Sequence, residues 1–340
     1  ITRVAEAEAM ADLRVTLAQG QSVRLRSVPI AATGAYAPGG TAAYPSSVLM
    51  CCVPAKVAGV ERVAVASPPG SSGEANPAVL AAAAIAGADE VYAAGGVQAI
   101  AALALGTESI VAVDVIVGPG NRYVQEAKRQ LYGRVGIDGI AGPSELMVIC
   151  DSSARSAWVA LDLCAQAEHG DDGLLVVASA DAETLDEVER ETAAAVSARP
   201  GAVGDAPLAL VEVPSTDAAR ELADALAPEH LELECEGADE LAAAVRTAGC
   251  GFAGSLGATA FGDYAAGSNH VLPTGGAGRY TGPLGPTVFR RRIGTVGVTQ
   301  EAAQALAPAV ATLARAEGFP IHAESVEARL ESRESEGHDG

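Results

Sequence analysis

The sequence predicts an α/β protein made of two lobes of parallel sheet followed by a small C-terminal helical element. Three observations carry this. At 340 residues, 49% hydrophobic and 19% charged, the chain can bury a sizeable core, and its length suggests two domains. Aromatic residues make up only 4%, so the interior must be filled by Ala, Val, Leu and Ile from closely packed helices and strands. Short β-rich runs also alternate with Ala-rich helical runs in two successive series. That βαβ rhythm implies parallel strands joined by right-handed crossovers.

The first series runs from Glu61 to Val117, with strands in RVAVAS, EVYAAGG and SIVAVDVIVG and helices in NPAVLAAAAIAGA and VQAIAALAL. VGPGN, Val117 to Asn121, then opens a helix over NRYVQEAKRQL. The second series starts at Glu145: strand ELMVIC, helix SARSAWVALDLCAQAEH, strand GLLVVASA, helix DAETLDEVERETAAAVSA, strand LALVEV, helix DAARELADALA. Between Phe252 and Thr287 the rhythm gives way to Gly-, Pro- and Asn-rich sequence that is too long for a passive connector, and such loops often form sites. After Arg290 a strand-like GTVGVTQ and a helix EAAQALAPAVATLARAEG lead to a last helical run, HAESVEARLESR, and the final SEGHDG is expected to be disordered. No internal repeat stands out.

Charge and cysteine usage exclude several classes of function. The chain has 43 acidic and 22 basic residues, a formal charge of −21, which repels nucleic acid and anionic membrane surfaces. Only Lys56 and Lys128 are lysines; with the acidic excess this points to a high-salt cytoplasm, where screening relieves like-charge repulsion. The six cysteines (Cys51, Cys52, Cys150, Cys164, Cys235, Cys250) show no CxxC pair and no disulfide or zinc-finger spacing, and read as small buried residues. The first thirty residues carry no apolar signal core. The uncharged run Val91 to Thr107 is interrupted by Gly95, Gly96 and Gln98. The expected location is the cytoplasm, with neither membrane nor nucleic acid as partner.

Histidine is scarce. Of five in the chain, His169, His230, His270 and His322 sit in or beside polar motifs at the ends of expected elements. In QAEHG, Gln166 and His169 are three apart at a helix end, where an amide oxygen and an imidazole nitrogen can reach one metal ion. A polar helix terminus of this kind is common, so the pair alone is a weak signal. Asp263 in GDYAAGSNH and His322 in EGFPIH would complete an N,O-type tetrad suited to zinc. In APEHLE, Glu229 and His230 are adjacent and could act as a general acid/base pair, the alternative being a charged surface turn. VGPGN could present backbone N–H groups to a phosphate, yet Tyr123 stands where a third glycine of the dinucleotide fingerprint would be. YAPGGTAAYPSS, Tyr36 to Ser47, is likewise a Gly-rich turn without a phosphate-binding lysine.

The joint order of the strings YAPGGTAAYPSSVLM, PAKVAGV, GGVQAIAALALGTESI, VDVIVGPGNRYV, GPSELMVI, QAEHG, APEHLE, GDYAAGSNHVLPTGG and EGFPIHAESVEAR resembles the histidinol dehydrogenase family from about Gly34 to Arg329. The resemblance implies incomplete Rossmann-like lobes with parallel sheets, and NAD-dependent, four-electron oxidation of L-histidinol through L-histidinaldehyde to L-histidine. It implies zinc ligands at Gln166, His169, Asp263 and His322, and a catalytic pair at Glu229 and His230. Ser144 and Glu317 match substrate-contacting positions, Tyr36, Gln98 and Asn121 match NAD-contacting ones, and His270 ranks below these. The metal ligands and His230 would also meet the substrate, Zn2+ docking its imidazole and amino groups.

The family forms homodimers, so Glu317 and His322 would complete the neighbouring subunit's site. The implied division is an N-terminal segment 1–33 packed on the second lobe, an NAD-contacting lobe 34–143, a zinc- and catalysis-bearing lobe 144–289, and a dimerisation element 290–340 with an acidic tail. The chain starts at Ile1, and family members carry a further N-terminal helical segment, whose absence bears on packing and dimer formation. Ala37 stands where Val is more usual. A zinc hydrolase with Glu229 as base, or a catalytically degenerate zinc-binding dimer, are the rival readings.

Overall fold

The computed structural model describes residues 1–39 and 43–330. Helix α1 (Thr2–Glu8) is followed by strands β1 (Leu13–Thr16), β2 (Ser22–Pro29) and β3 (Ala32–Tyr36). Next come α2 (Pro45–Val57), β4 (Arg62–Ser67), α3 (Pro77–Ala86), β5 (Glu90–Ala93), α4 (Gly96–Leu105), β6 (Val115–Val117), α5 (Arg122–Leu131) and β7 (Gly136–Ile137). The chain continues through β8 (Glu145–Cys150), α6 (Ser156–Ala167), β9 (Leu174–Ser179), α7 (Ala182–Ser197), β10 (Leu208–Glu212) and α8 (Thr216–Leu226). Then follow β11 (His230–Glu234), α9 (Ala238–Ala244), β12 (Cys250–Ala253), α10 (Thr259–Tyr264), β13 (Arg290–Gly297), α11 (Gln300–Ala316) and α12 (Pro320–Glu327).

These elements fall into two compact units, Ile1–Ala9 with Pro29–Phe289, and Met10–Val28 with the chain from Arg290 onward. The larger unit holds two five-stranded sheets, ordered β5-β4-β3-β6-β7 and β10-β9-β8-β11-β12. All their pairings are parallel, as the rhythm of the sequence requires. Each sheet is covered on both faces, so its central strands are runs of small apolar residues rather than alternating ones. In the first sheet Val63, Val65 and Val117 pack with Val48, Cys51, Ala55 and Val79 of α2 and α3. On its other face Ala64, Ala66 and Ile116 pack with Ile100, Leu103 and Val124 of α4 and α5. In the second sheet Leu146, Val148 and Val177 meet Val159, Leu163 and Val188 of α6 and α7. Met147, Ile149, Leu231 and Leu233 meet Ala219 and Ala223 of α8.

Two expectations change. Of SIVAVDVIVG only Val115–Val117 is strand, because the Asp114 carboxylate accepts the N–H groups of Ala31 and Ala32 at 2.9 and 3.0 Å and ends the ladder there. Residues 1–33 also do not form one segment packed on the second lobe. Helix α1 packs on α2, a helix of the first lobe, burying Ala5. By contrast β1 and β2 are polar, alternating strands that satisfy their backbone in a separate three-stranded sheet, β1-β2-β13.

That sheet belongs to the smaller unit, where Arg290 donates to the Ser27 hydroxyl at 2.7 Å and to its carbonyl at 2.6 Å. There α11 and α12 meet through Ala311, Ala314 and Ala323, and Arg315 pairs with Glu327 at 2.7 Å. The SEGHDG tail lies outside the described residues, as do residues 40–42 of the YAPGGTAAYPSS turn. Among the described residues no helix is long and apolar enough to cross a membrane. Five of the six cysteines are buried, Cys250 partly so.

Candidate active site

Helix α8 stops because Ala227 takes a left-handed conformation (φ 52°) and Pro228 follows it. The chain then enters β11 with Glu229 just before the strand and His230 as its first residue. Both are buried, at 8% and 3% exposure, so the pair is not a surface turn. Beside β11 runs β8, and the residues that begin it close around the pair. The Ser144 hydroxyl donates to Glu229 Oε2, and the Glu145 N–H donates to the same oxygen at 3.0 Å. Gly249 presses on this turn from the other side; a Cβ there would lie 2.5 Å from the Glu229 carbonyl oxygen.

His230 Nδ1 stands 3.3 Å from the Glu145 carbonyl, which can only accept, so the proton of the neutral ring resides on Nδ1. In that neutral form Nε2 is left with a lone pair. It is buried, has no hydrogen-bond partner among the described residues, and lies 3.7 Å from Asp263 Oδ1. Burial works against a charge on this ring, but the Asp263 carboxylate and then Glu229, whose Oε2 is 3.6 Å from Nδ1, outweigh it and raise the pKa. Such a nitrogen can take a proton from a bound hydroxyl.

Asp263 is set by α10, whose N-terminal Thr259 donates its N–H (2.9 Å) and hydroxyl (2.6 Å) to Glu232 of β11. Gln166, in the last turn of α6, donates from Nε2 to the Ser144 hydroxyl at 2.5 Å, which leaves its Oε1 as the atom that could meet an ion. His169 follows in the exposed turn, its N–H on the Gln166 carbonyl at 3.2 Å. His270 joins from the long loop, with Nδ1 3.0 Å from the Asp263 carbonyl and Nε2 3.5 Å from the Ser47 hydroxyl. Burial lowers its pKa. Ser144, Gln166, Glu229, His230, Asp263 and His270 are thus linked in one network.

The three residues expected at NAD gather elsewhere, at the carboxyl end of the first sheet. Tyr36 ends β3, and its phenol oxygen accepts the Gly96 N–H at 3.1 Å, two residues before Gln98. Gly118, with φ of 110°, lies so close to the Tyr36 carbonyl that no side chain fits there. Asn121 caps α5, its Oδ1 accepting the N–H groups of Tyr123 and Val124 at 3.1 Å. Helix α4 has no side-chain cap. Glu317 and His322 belong to the smaller unit and are exposed, the His322 ring 5.3 Å from that of Phe319.

Sequence reasoning missed Glu145 and Glu232. The signal for both was a carboxylate inside an otherwise apolar strand, Glu145 opening ELMVIC and Glu232 within HLELE.

Fold and site together define a two-lobed α/β enzyme built around a buried acid–imidazole pair. A histidinol dehydrogenase family model matches residues 1–330, and the chain belongs to that family of oxidoreductases. It is 49% identical over 321 residues to histidinol dehydrogenase from Synechococcus sp., covering 93% of this chain and 74% of that protein. To the Rhodospirillum rubrum protein of the same name it is 46% identical over 345 residues, covering 97% and 77%. The crystal structure of histidinol dehydrogenase from Elizabethkingia anophelis matches with a TM-score of 0.93 at 34% identity, over 98% of this chain and 78% of that one. Gamma-glutamyl phosphate reductase from Thermotoga maritima shares the fold alone, with a TM-score of 0.53 at 13% identity, over 88% and 80% of the two chains.

Proposed function

We propose that this chain oxidises L-histidinol through L-histidinaldehyde to L-histidine, the closing steps of histidine biosynthesis, with NAD as oxidant and one zinc ion per subunit. The observation that carries the reading is His230, buried, with its lone pair on Nε2 and with Glu229 held beside it by Ser144 and Glu145.

In the first oxidation His230 Nε2 takes the hydroxyl proton while hydride leaves the alcohol carbon. In the second, Glu229 helps a water add to the aldehyde, and His230 is again the base. Burial of the pair keeps the aldehyde from bulk water between the steps. NAD, when bound, supplies the hydride acceptor. Tyr36, Gln98 and Asn121 would hold it, Tyr36 being bonded to the Gly96 N–H at the start of α4.

Zinc, when bound, supplies a docking point for the imidazole and amine of the substrate. The donors present fit it in kind. Asp263 and Gln166 offer oxygen and His169 nitrogen, although no three His, Cys, Asp or Glu side chains form a metal group among the described residues. The fourth ligand in this reading is His322 of a second copy, which with Glu317 completes the neighbour's site in a homodimer. Six free cysteines suit a reducing cytoplasm.

The test is an assay of the purified protein with L-histidinol and NAD. Two NADH per histidine are expected, together with loss of metal but not of fold in His169→Asn. Zinc and histidinol binding without NADH would overturn the reading.

A further inference from the structure

Glu145 makes more connections to the catalytic pair than any residue assigned to it. Its N–H donates to the Glu229 carboxylate (3.0 Å), its own Oε2 accepts the Glu229 N–H (3.2 Å), and its carbonyl faces His230 Nδ1 (3.3 Å). Its remaining oxygen, Oε1, accepts the Gly275 N–H at 3.1 Å. One residue earlier in that loop, the Thr274 hydroxyl accepts the Gly142 N–H at 2.5 Å. The segment leading into β8 and the loop around Thr274–Gly275 are therefore bonded to each other beside the catalytic pair, and Glu145 is the residue that bonds both to that loop and to Glu229.

We propose that Glu145 is a positioning residue for the reaction: its two carboxylate oxygens lock the backbone at Glu229 and Gly275, and so hold Glu229 and the His230 ring in their working orientation. The inference rests on the assignment of Glu229 and His230 as the reacting pair.

The residue type supports it. Each oxygen takes one backbone N–H, which a carboxylate can do and an amide cannot, because Gln would turn its NH2 toward one of the two donors. Burial raises the Glu145 pKa, the neighbouring Glu229 charge adds to this, and the two backbone N–H groups oppose it. A partly buried acid kept beside another acid is electrostatically unfavourable unless its acceptors are needed.

The experiment compares wild type, Glu145→Gln, and Glu234→Gln as a control that removes another buried carboxylate, lying on β11 outside the site. Glu145→Gln should remain folded and zinc-loaded, with kcat down about a hundredfold, as a misplaced reacting group loses, and KM for histidinol unchanged. In 15N spectra of the histidine rings recorded at alkaline pH, where the His230 ring is neutral, and with His230 assigned by its loss in His230→Asn, the wild type should show a proton on Nδ1 only. Glu145→Gln should populate both tautomers. Glu234→Gln should leave kcat and the His230 signal as in wild type.

Normal kcat in Glu145→Gln, or a lower kcat with an unchanged His230 signal, overturns the proposal. If Glu145→Gln does not fold, amide exchange in the wild type decides: slow exchange at both Glu229 and Gly275 supports the clasp, and fast exchange at either sinks it. Should wild type give no NADH from histidinol and NAD, the functional reading fails, while the ring spectra and amide exchange still decide what Glu145 holds.

Discussion

Both five-stranded sheets run third, second, first, fourth, fifth in their local strand count, yet the residues of interest stand at opposite edges of them. In the first lobe Tyr36 closes β3, while Gly96–Gln98 and Gly118–Asn121 follow β5 and β6, so the cluster lies at the carboxyl edge, where open α/β sheets usually bind ligands. In the second lobe Ser144, Glu145, Glu229 and His230 stand at the amino ends of β8 and β11, beside Gln166 at the C-terminal end of α6. The lobes also treat buried charge differently. Lys128, at 1% exposure, is matched by Asp138 at 2.5 Å and by the Gly118 carbonyl at 3.1 Å. Glu232 and Glu234 are buried in the second sheet with no Lys or Arg paired to them among the described residues, and each keeps an oxygen without a partner. Topology sets where strands go; which edge carries chemistry depends on the residues placed at the strand ends.

If the amino edge of the second lobe holds the chemistry, His230→Asn should reduce turnover by about 10²–10⁴-fold, the usual worth of a positioned general base, while zinc content and melting temperature stay near wild type. Stopped-flow or steady-state NADH formation reads this directly, and normal turnover would move the base elsewhere.

The matched charge of the first lobe gives the next largest effect. Lys128→Met leaves the partly buried Asp138 carboxylate without its cation, held only by the Gly118 and Gly139 N–H groups, and should cost about 3–5 kcal/mol in chemical denaturation, whereas Lys128→Met with Asp138→Asn, which removes the charge and keeps an acceptor, should recover part of that. Equal losses in the single and double variants would show that the pair serves packing rather than charge compensation.

The same contrast explains what could be read from residue order alone. RVAVAS and ELMVIC stand out as strands because parallel strands buried on both faces are runs of Val, Ile, Leu and Ala. ATGAY, the central β3, does not, since Gly34 and its two alanines are poor strand formers, although every residue of it is buried. HLELE misleads in the other direction: its acids alternate like a solvent-facing edge, yet every residue of it is buried. QAEHG and APEHLE were legible as chemistry, but the fold had to bring Ser144 and Glu229 together across 85 residues of chain. Glu145 is marked only as an acid opening the apolar run ELMVIC, because its bonds to the Glu229 and Gly275 N–H groups leave no trace in a motif.

The unmatched carboxylates of the second lobe yield the smallest and most diagnostic effect. Burial pushes Glu232 up to about 7, helped by Asp162 and Glu234 and opposed by the two hydrogen bonds from Thr259. Burial likewise pushes Asp162 up to about 6. An acid whose pKa is raised on folding holds its proton more tightly in the folded state. Its contribution to stability is complete below the unfolded value, about 4–4.5, and is lost as pH rises through the folded one. The melting temperature should therefore decline from about pH 5 to about pH 7.5. Glu232→Gln keeps the oxygen that caps Thr259 and removes the titration, so its curve should be flatter, with Asp162 supplying the remaining slope, and should lie above wild type by a few degrees at about pH 8. Because both proteins carry the same excess of surface acid, their difference isolates the buried site. An identical slope in the two would mean that the Thr259 hydrogen bonds already keep Glu232 ionised, and that the second lobe tolerates its charge as well as the first.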